Sequence, residues 1–321
     1  MPEKLVSFGK QTVIYNIHYK GELERNGVQY IFPGYKRWQL VLPFAYNRFI
    51  KSLKADVIIV HGLIFPWQII MLRKAVGSNV KIICQHHAEL PFKDFRAAIF
   101  RRADKHIDAY LFASKQQGEE WVSKNQISSM SKVYEIMGTS SIFYPDHKLK
   151  SGNAYLWIGD LDRNKDPITA VRAFNEFSKK YQDVKLNMIF QNDALLEQVK
   201  EVAGPNIHFI GKVEHAKLQD WFNSSDFIIS TSHYEGSGIA VCEAMSCGCI
   251  PVVTNIPSFR VMTDNGKFGR LFEPGDTAGL LIALEETFGS SQYQNIIDHF
   301  NNELSFEANA RKIMHVINKI S

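Results

Sequence analysis

The chain has few cysteines and no long apolar run. Only four of its 321 residues are cysteine, and no C-x-x-C pair suggests a zinc or thioredoxin-like site. We therefore expect reduced, buried cysteines rather than a disulfide-stapled fold. No stretch reaches the roughly 18 consecutive apolar residues of a membrane-spanning helix, and the first ten residues lack the layout of a signal peptide. The expected location is the cytoplasm.

Several motifs of common enzyme classes are also missing. No H-E-x-x-H or similar histidine spacing indicates a metal site, so we expect no metal and no cofactor. No G-x-G-x-x-G follows a predicted strand, which disfavours a dinucleotide-dependent dehydrogenase. No recognisable nucleic-acid-binding module is present, so nucleic acid is not an expected partner.

Length and charge indicate two unlike halves. At roughly 150 residues per domain, 321 residues predict two domains. Up to Lys150 the chain has 22 Lys and Arg against 12 Asp and Glu, a charge of +10; the remainder has 15 against 21, a charge of −6. A basic half attracts anionic partners, so an anionic membrane surface is one expected partner.

Short apolar segments alternate with amphipathic stretches in both halves. Segments such as Val57–Val60 are apolar at every position, which is typical of parallel strands buried on both faces. The predicted strands are Gln11–Ile17, Val28–Phe32, Asp56–His61, Lys81–Gln85, Ala109–Ser114, Ala154–Ile158, Leu186–Phe190, Ile207–Ile210, Phe227–Ser230 and Ile250–Val253. Helices are predicted over Pro167–Lys180 and Leu218–Asn223. The fold class is α/β.

A polar, turn-rich segment around 144–153 separates the two halves. We predict a domain over residues 1–147 and a second over 148–321, whose last helix returns to the first. Ligands of such sheets bind beyond the carboxyl ends of the strands, so the chemistry is expected in the cleft between two facing Rossmann-like domains.

The most informative segment is Ser232–Pro251, which directly follows a predicted strand. It contains two glutamates, Glu235 and Glu243, with the turn Gly236-Ser237-Gly238 after the first. A small-residue turn leading into a helix presents free backbone N–H groups, which favour an anion such as phosphate. The two carboxylates are therefore expected to contact different parts of one ligand.

This segment resembles the Glu-x7-Glu motif of the retaining group-one glycosyltransferases, which have the GT-B fold. The likeness includes Ser232, Glu235, Gly236, Gly238, Glu243-Ala244-Met245, Gly248 and Pro251-Val252-Val253. It implies that Glu235 is a catalytic residue at the donor sugar and that Glu243 binds the nucleotide ribose. It assigns the donor diphosphate to Gly236, Ser237, Gly238 and Ile239.

Two further stretches are similar to that family. Trp157–Pro167 looks like its Gly-Arg-Leu-x-x-x-Lys loop, which implies diphosphate binding by Lys165. The arginine position holds Asp160, a charge reversal, and we expect Arg163 on the same loop to bind phosphate instead. Phe190–Asp193 also departs from the family, which has a glycine-rich turn there.

In the first half, Gln85-His86-His87 ends a predicted strand where the family places a histidine facing the donor sugar. His87 is the expected catalytic residue, since it lies just past the strand end. Ser114 and Gly138-Thr139-Ser140 also match family positions. The chain begins near the end of the family's first helix, so the first strand and glycine loop are expected to be missing, with Gln11–Ile17 as second strand.

The implied function is metal-independent transfer of a sugar from a nucleotide-diphosphate donor to a glycan or lipid-linked acceptor, with retention of configuration. An inactive or truncated domain that binds nucleotide only is the alternative. An epimerase lacks the Glu-x7-Glu helix, and glycosidase chemistry conflicts with a glutamate committed to ribose.

The stretch Phe92–His106 allows two interpretations. Its apolar residues fall mainly on one helical face and its basic residues on the other. Either it is a helix packed on the core with a solvated basic side, or it is a helix attracted to anionic lipid.

Overall fold

The computed structural model describes residues 2–15, 20–138, 143–146 and 150–321. The chain forms two compact α/β units: unit 1 is Met1–Ile136 with Phe306–Ser321, and unit 2 is Met137–Ser305. The segment 306–321 thus belongs to unit 1. The predicted limit between 147 and 148 falls among residues 147–149, which are outside the described part of the chain.

Unit 1 begins with a short helix and a three-stranded sheet. Helix α1 is Pro2–Leu5, and the strands are β1 (Gln11–Ile14), β2 (Gly21–Arg25) and β3 (Val28–Phe32), in the order β1-β3-β2. Strand β1 is parallel to β3 and β2 is antiparallel to it. Asn26 and Gly27, with φ of 51° and 76°, form the turn between β2 and β3.

These strands correct the expectation that the first half is one parallel sheet with Gln11–Ile17 as its second strand. Residues 11–14 pair with β3 in a sheet of their own, and residues 16 and 17 are not among the described ones. The sequence of β2, GELER, is polar and exposed and so carries no apolar pattern that predicts a strand. The dipeptide Asn-Gly before β3 was the overlooked hairpin signal.

The main sheet of unit 1 is parallel, with the order β4-β5-β6-β7. Its strands are β4 (Val57–His61), β5 (Lys81–Gln85), β6 (Ala109–Phe112) and β7 (Val133–Glu135). Side chains alternate between two hydrophobic clusters: Ile82 and Cys84 face one, and Ile83 faces the other. Burial on both faces explains why these strands are apolar at every position.

Helices cover both faces of that sheet. After β3 the chain forms α2 (Arg37–Val41), α3 (Phe44–Ser52), α4 (Pro66–Val76), α5 (Arg96–Asp104) and α6 (Lys115–Ser123). Phe92, which precedes α5, and Phe100, which lies on it, pack against the buried Trp121 of α6. Phe92 and Phe100 of the stretch 92–106 are therefore packed in the core, as the first of its two interpretations expected, whereas Phe95 is exposed.

Unit 2 contains a six-stranded parallel sheet with the order β10-β9-β8-β11-β12-β13. The strands are β8 (Ala154–Ile158), β9 (Lys185–Ile189), β10 (Ile207–Gly211), β11 (Phe227–Ser230), β12 (Ile250–Thr254) and β13 (Arg270–Phe272). The helices are α7 (Pro167–Lys180), α8 (Leu196–Val202), α9 (Leu218–Ser224), α10 (Ile239–Ser246), α11 (Pro257–Met262), α12 (Thr277–Thr287) and α13 (Tyr293–His299). A final helix, α14 (Phe306–Ile320), packs through Ile313 and Val316 in unit 1.

Aromatic packing ties the sheet of unit 2 to its helices. Tyr155 of β8 stacks on Phe227 of β11 at a centroid distance of 4.5 Å and meets Phe174 and Phe177 of α7 edge-on. Each of these rings is fully buried. The core thus fixes β8, β11 and α7 relative to one another, and the loops at the carboxyl ends of β8 and β11 with them.

All four cysteines are buried and none is in a disulfide, which confirms the expectation for them. Among the described residues, no helix is both long enough and apolar enough to cross a lipid bilayer.

Candidate functional site

Two loops of unit 2 form one continuous structure at the carboxyl ends of adjacent strands. The loop after β8 and the loop after β11 are joined by the Asn164 side chain, which donates to the Tyr234 carbonyl and accepts from the Tyr234 N–H, both at 3.1 Å. The Thr231 hydroxyl donates to the Lys165 carbonyl at 2.7 Å and accepts from Trp157 Nε1 at 3.1 Å. The two loops are therefore held in a fixed relation.

This junction places Lys165 beside Glu235. Lys165 Nζ forms a short ion pair with Glu235 Oε1, and the same oxygen accepts a hydrogen bond from Ser232 Oγ at 2.8 Å. The Glu235 side chain is mostly buried. The structure thus brings together a cation and a carboxylate that lie 70 residues apart in sequence.

The glycine turn that follows Glu235 leads directly into α10. Gly238 is the residue before the helix and has φ +65°, and a Cβ there would lie 2.4 Å from Phe259 Cε1. Ser237 Oγ accepts from the Gly138 N–H at 3.1 Å. Thr139 and Ser140, also matched to the family, lie outside the described residues. Ile239, the first residue of α10, is exposed.

Glu243 lies within α10 and is almost fully buried. Its Oε1 is 2.9 Å from Nε2 of His215, and the His215 ring lies 5.2 Å from that of Phe143. His215 precedes α9 and was not singled out by its sequence, since a lone loop histidine carries no spacing signal. The two glutamates of the segment thus have different partners and different environments.

Arg163 forms no hydrogen bond or ion pair with Lys165, Ser232 or Glu235. Its side chain is exposed, and it has no hydrogen-bond or ion-pair partner among the residues that the structure describes. Asp160, at the arginine position of the family pattern, accepts from the Asn192 N–H at 3.1 Å, while the Leu161 N–H donates to the Asn192 carbonyl at 2.9 Å. The two departures from the family, at Asp160 and at Phe190–Asp193, therefore contact each other.

In unit 1 the loops after β4 and β5 hold a second cluster, around His87. His87 Nε2 lies 3.0 Å from Nδ1 of His61, the last residue of β4. The Glu89 carboxylate accepts from the N–H groups of Leu63 at 3.0 Å and His87 at 2.6 Å, so it joins the two loops. Ala88 has φ +77°, which turns the chain so that Glu89 reaches back to His87.

His86 and His87 differ in environment. His87 is exposed, whereas His86 is buried and stacks on Phe112 at 4.6 Å. His86 Nε2 is 2.8 Å from the Glu89 carbonyl, and its Nδ1 has no partner among the described residues. Burial lowers the pKa of His86, and partial desolvation beside His87 lowers that of His61. Ser114 caps α6 by accepting from the Gln117 N–H.

No group of three or more His, Cys, Asp or Glu side chains within the described ranges is arranged to hold a metal ion.

Comparisons with known proteins agree with this architecture. Residues 144–298 match the family described as "Glycosyl transferases group 1", and residues 4–134 match "Glycosyltransferase Family 4". The chain belongs to the group-one glycosyltransferases. Its fold is GT-B: sucrose-phosphate synthase from Thermosynechococcus elongatus superposes on this glycosyltransferase with a TM-score of 0.76 at 17% identity, over 99% of this chain and 91% of that one.

Two further matches cover a smaller share of both chains than the match to sucrose-phosphate synthase does. The phosphatidyl-myo-inositol mannosyltransferase of Mycolicibacterium smegmatis is 28% identical over 140 residues, which is 42% of this chain and 36% of that protein. The chain thus spans about a third of the length of that curated relative. The pneumococcal O-GlcNAc transferase in complex with UDP and GlcNAc matches with a TM-score of 0.66 and 16% identity, over 86% of this glycosyltransferase and 59% of that chain.

We predict that Gly238→Ala destabilises the protein for two reasons. The alanine would have to adopt the left-handed backbone conformation of Gly238, and its Cβ would clash with the Phe259 ring. The expected loss in free energy of unfolding is about 2–4 kcal/mol. Gly289→Ala is the matched control, since Gly289 has φ +76° and open space around it. It should cost only about 1–2 kcal/mol. Urea unfolding measures both, and equal losses would contradict the role of the Phe259 contact.

A second prediction concerns acid stability. Burial lowers the pKa of His86 in the folded protein. Below a pH of about 6.5 this histidine is therefore protonated in the unfolded chain while it is still neutral in the folded one. The free energy of unfolding should therefore fall as the pH drops through that value. His86→Gln keeps a donor for the Glu89 carbonyl but does not titrate, so urea unfolding should show a smaller loss. The exposed His208→Gln should keep the wild-type loss; an unchanged loss in His86→Gln would refute the assignment.

Proposed function

We propose that this glycosyltransferase moves a sugar from a nucleotide-diphosphate sugar to a glycan or lipid-linked acceptor, with retention of configuration. The observation that carries the proposal is the junction of Lys165, Ser232 and Glu235 at the glycine turn before α10, with Glu243 in the same helix. It would offer a cation, the backbone N–H groups at a helix N-terminus and two carboxylates to one ligand.

The roles follow from the chemistry of the donor. The diphosphate gains negative charge as its bond to the anomeric carbon breaks, and Lys165 with the N-terminus of α10 would stabilise that charge. Glu243 would bind the ribose in place of His215, and Glu235 would contact the reacting sugar. Gly236, Ser237, Gly238 and Ile239 would supply backbone N–H groups. The acceptor oxygen forms the new bond, and its proton leaves with the diphosphate.

His87 and Arg163 remain parts of the proposal that rest on the family resemblance. His87 is exposed, Glu89 binds its backbone N–H, and its imidazole would exchange the contact with His61 for one to a donor sugar. Arg163 is exposed at the loop that carries Lys165, and a bidentate contact to phosphate would order it on binding.

The acceptor class and the location are proposed from two observations. The related mannosyltransferase named above acts, by its name, on phosphatidyl-myo-inositol, which supports a lipid-linked acceptor. The four free, buried cysteines fit the reducing cytoplasm. We therefore propose a cytoplasmic enzyme that works at the membrane surface.

We expect Glu243→Gln to weaken nucleotide binding and Glu235→Gln to spare binding while abolishing transfer. Glu243 is buried beside the proposed ribose site, whereas Glu235 is assigned to the reacting sugar. Calorimetry with UDP, GDP and ADP, together with a turnover assay on the corresponding donor sugars, separates the two roles. Glu285→Gln, at an exposed ion pair on α12, is the control.

Equal nucleotide affinity in both variants and the wild type would refute these roles. Nucleotide binding by the wild type without turnover on any donor would support the alternative, a domain that binds nucleotide only. Asp160 favours that alternative, because it places a carboxylate at the family's arginine position.

Transfer should persist in EDTA. Lys165 and the α10 N-terminus can offset the charge of the leaving diphosphate without a divalent ion. Turnover is measured after dialysis against EDTA, with and without added magnesium or manganese. Loss of activity that either metal restores would show that metal-independent transfer is wrong.

A further inference from the structure

The segment 33–55 of unit 1 exposes large apolar side chains. Trp38 and Val41 of α2 are 61% and 55% exposed, and Leu42 and Phe44, which follow, are 52% and 62% exposed. Isolated exposed apolar residues are common, but a contiguous group marks an interaction surface. Four such residues within seven positions form such a group.

Neighbouring elements extend this group. Gln68 of α4 donates to the Leu40 carbonyl at 3.4 Å, so the start of α4 lies against α2. The residues around that start, Ile64, Phe65 and Trp67, are also exposed. We call Trp38, Val41, Leu42, Phe44, Ile64, Phe65 and Trp67 the Trp38 surface.

The charges within the segment 33–55, which carries four of the seven residues of the Trp38 surface, have one sign; at the Phe65 edge the Glu89 carboxylate accepts from the N–H groups of Leu63 and His87. The 23 residues from Pro33 to Ala55 contain five cations, Lys36, Arg37, Arg48, Lys51 and Lys54, and no carboxylate. All five are exposed. None has an ion-pair partner within the described ranges, whereas Arg25, Arg73 and Lys132 of the same unit each pair with a carboxylate.

This combination selects one class of partner. A second copy of the chain would bring ten like charges together if it used the same surface, which repels. Tryptophan and phenylalanine flanked by Lys and Arg instead match the interface of an anionic bilayer, where rings enter the headgroup region and cations meet lipid phosphates. In the other basic stretch, 92–106, Phe92 and Phe100 are packed inside, and Phe95 alone is left as a large exposed apolar side chain, at 75%.

We propose that the Trp38 surface docks this protein on an anionic lipid surface. The proposal deepens the proposed function, since a lipid-linked acceptor is presented at such a surface, but docking itself requires no donor and no turnover. Its failure and the failure of sugar transfer are therefore separable.

Co-sedimentation with vesicles tests the proposal. The full chain should bind vesicles of phosphatidylglycerol and phosphatidylcholine, but not phosphatidylcholine alone, and should dissociate near 1 M salt, where the Debye length is about 3 Å. Removing two cations in R37Q/R48Q should weaken binding roughly thirtyfold, since each contributes about fivefold near an anionic surface. Truncating two rings in W38S/F44S should weaken it roughly tenfold or more.

Matched variants separate this surface from general charge and apolarity. R101Q/R102Q removes two exposed arginines of α5, and Ile282→Ser removes an exposed apolar side chain of unit 2; both should bind vesicles as the wild type does. All variants should keep the wild-type nucleotide affinity by calorimetry and the wild-type urea unfolding curve, which together show that unit 2 and unit 1 are folded.

Three results would overturn the proposal. One is negligible sedimentation with anionic vesicles at low salt. Another is an equal loss of vesicle binding in R101Q/R102Q and R37Q/R48Q, which would mean that binding depends on the net charge of the protein and not on the position of the cations. The third is a dimer in analytical ultracentrifugation that W38S/F44S dissociates, which would assign the Trp38 surface to a second copy.

Discussion

The side-chain amide of Asn164 holds together the two loops on which the candidate site of unit 2 depends. It binds both the N–H and the carbonyl of Tyr234, so the loop after β8 and the loop after β11 keep one spacing. Lys165 and Glu235 are the residues next to this contact, and their ion pair follows from it. Because both loops leave adjacent strands of a tightly packed sheet, the aromatic core under β8 and β11 supports the same geometry.

The site departs from its family in a coordinated way. A carboxylate replaces the arginine expected at position 160, and the turn after β9 lacks its glycines. Asp160 accepts from the Asn192 N–H, so the altered loop after β8 supports the altered loop after β9. The Asp160 carboxylate thus has a structural role, and in the proposed function the positive charge for a diphosphate would come from Lys165, the α10 N-terminus and Arg163.

Unit 1 uses the same principle with a different residue. Glu89 joins the loops after β4 and β5 by accepting from Leu63 and His87, and the left-handed Ala88 brings it back to them. His61 then contacts His87, while His86 turns into the core. In both units polar side chains, Asn164 in one and Glu89 in the other, link the carboxyl-end loops of neighbouring strands, where ligands of α/β sheets bind.

The sequence by itself determined most of the strands, the α/β class and the candidate glutamates; β2, β7 and β13 were not predicted. Runs such as Val57–Val60 are apolar at every position because both faces of a parallel sheet are buried, and that pattern is local. The Glu235 and Glu243 spacing is likewise local, since one turn and one helix connect them. The hairpin of β2 and β3 was also readable from Asn26-Gly27, although its polar strand concealed it.

Only the tertiary structure decided which polar residues meet. Asn164 and Tyr234 are 70 residues apart, and Asp160 and Asn192 are 32 apart, so neither pair has a spacing that sequence patterns report. The burial of aromatic residues in the two basic stretches, 33–55 and 92–106, was likewise not predictable from the sequence. Both stretches contain aromatic and cationic residues, yet Phe100 lies in the core and Trp38 on the surface. Amphipathic composition sets what a segment can bury, and the neighbouring elements determine whether it does.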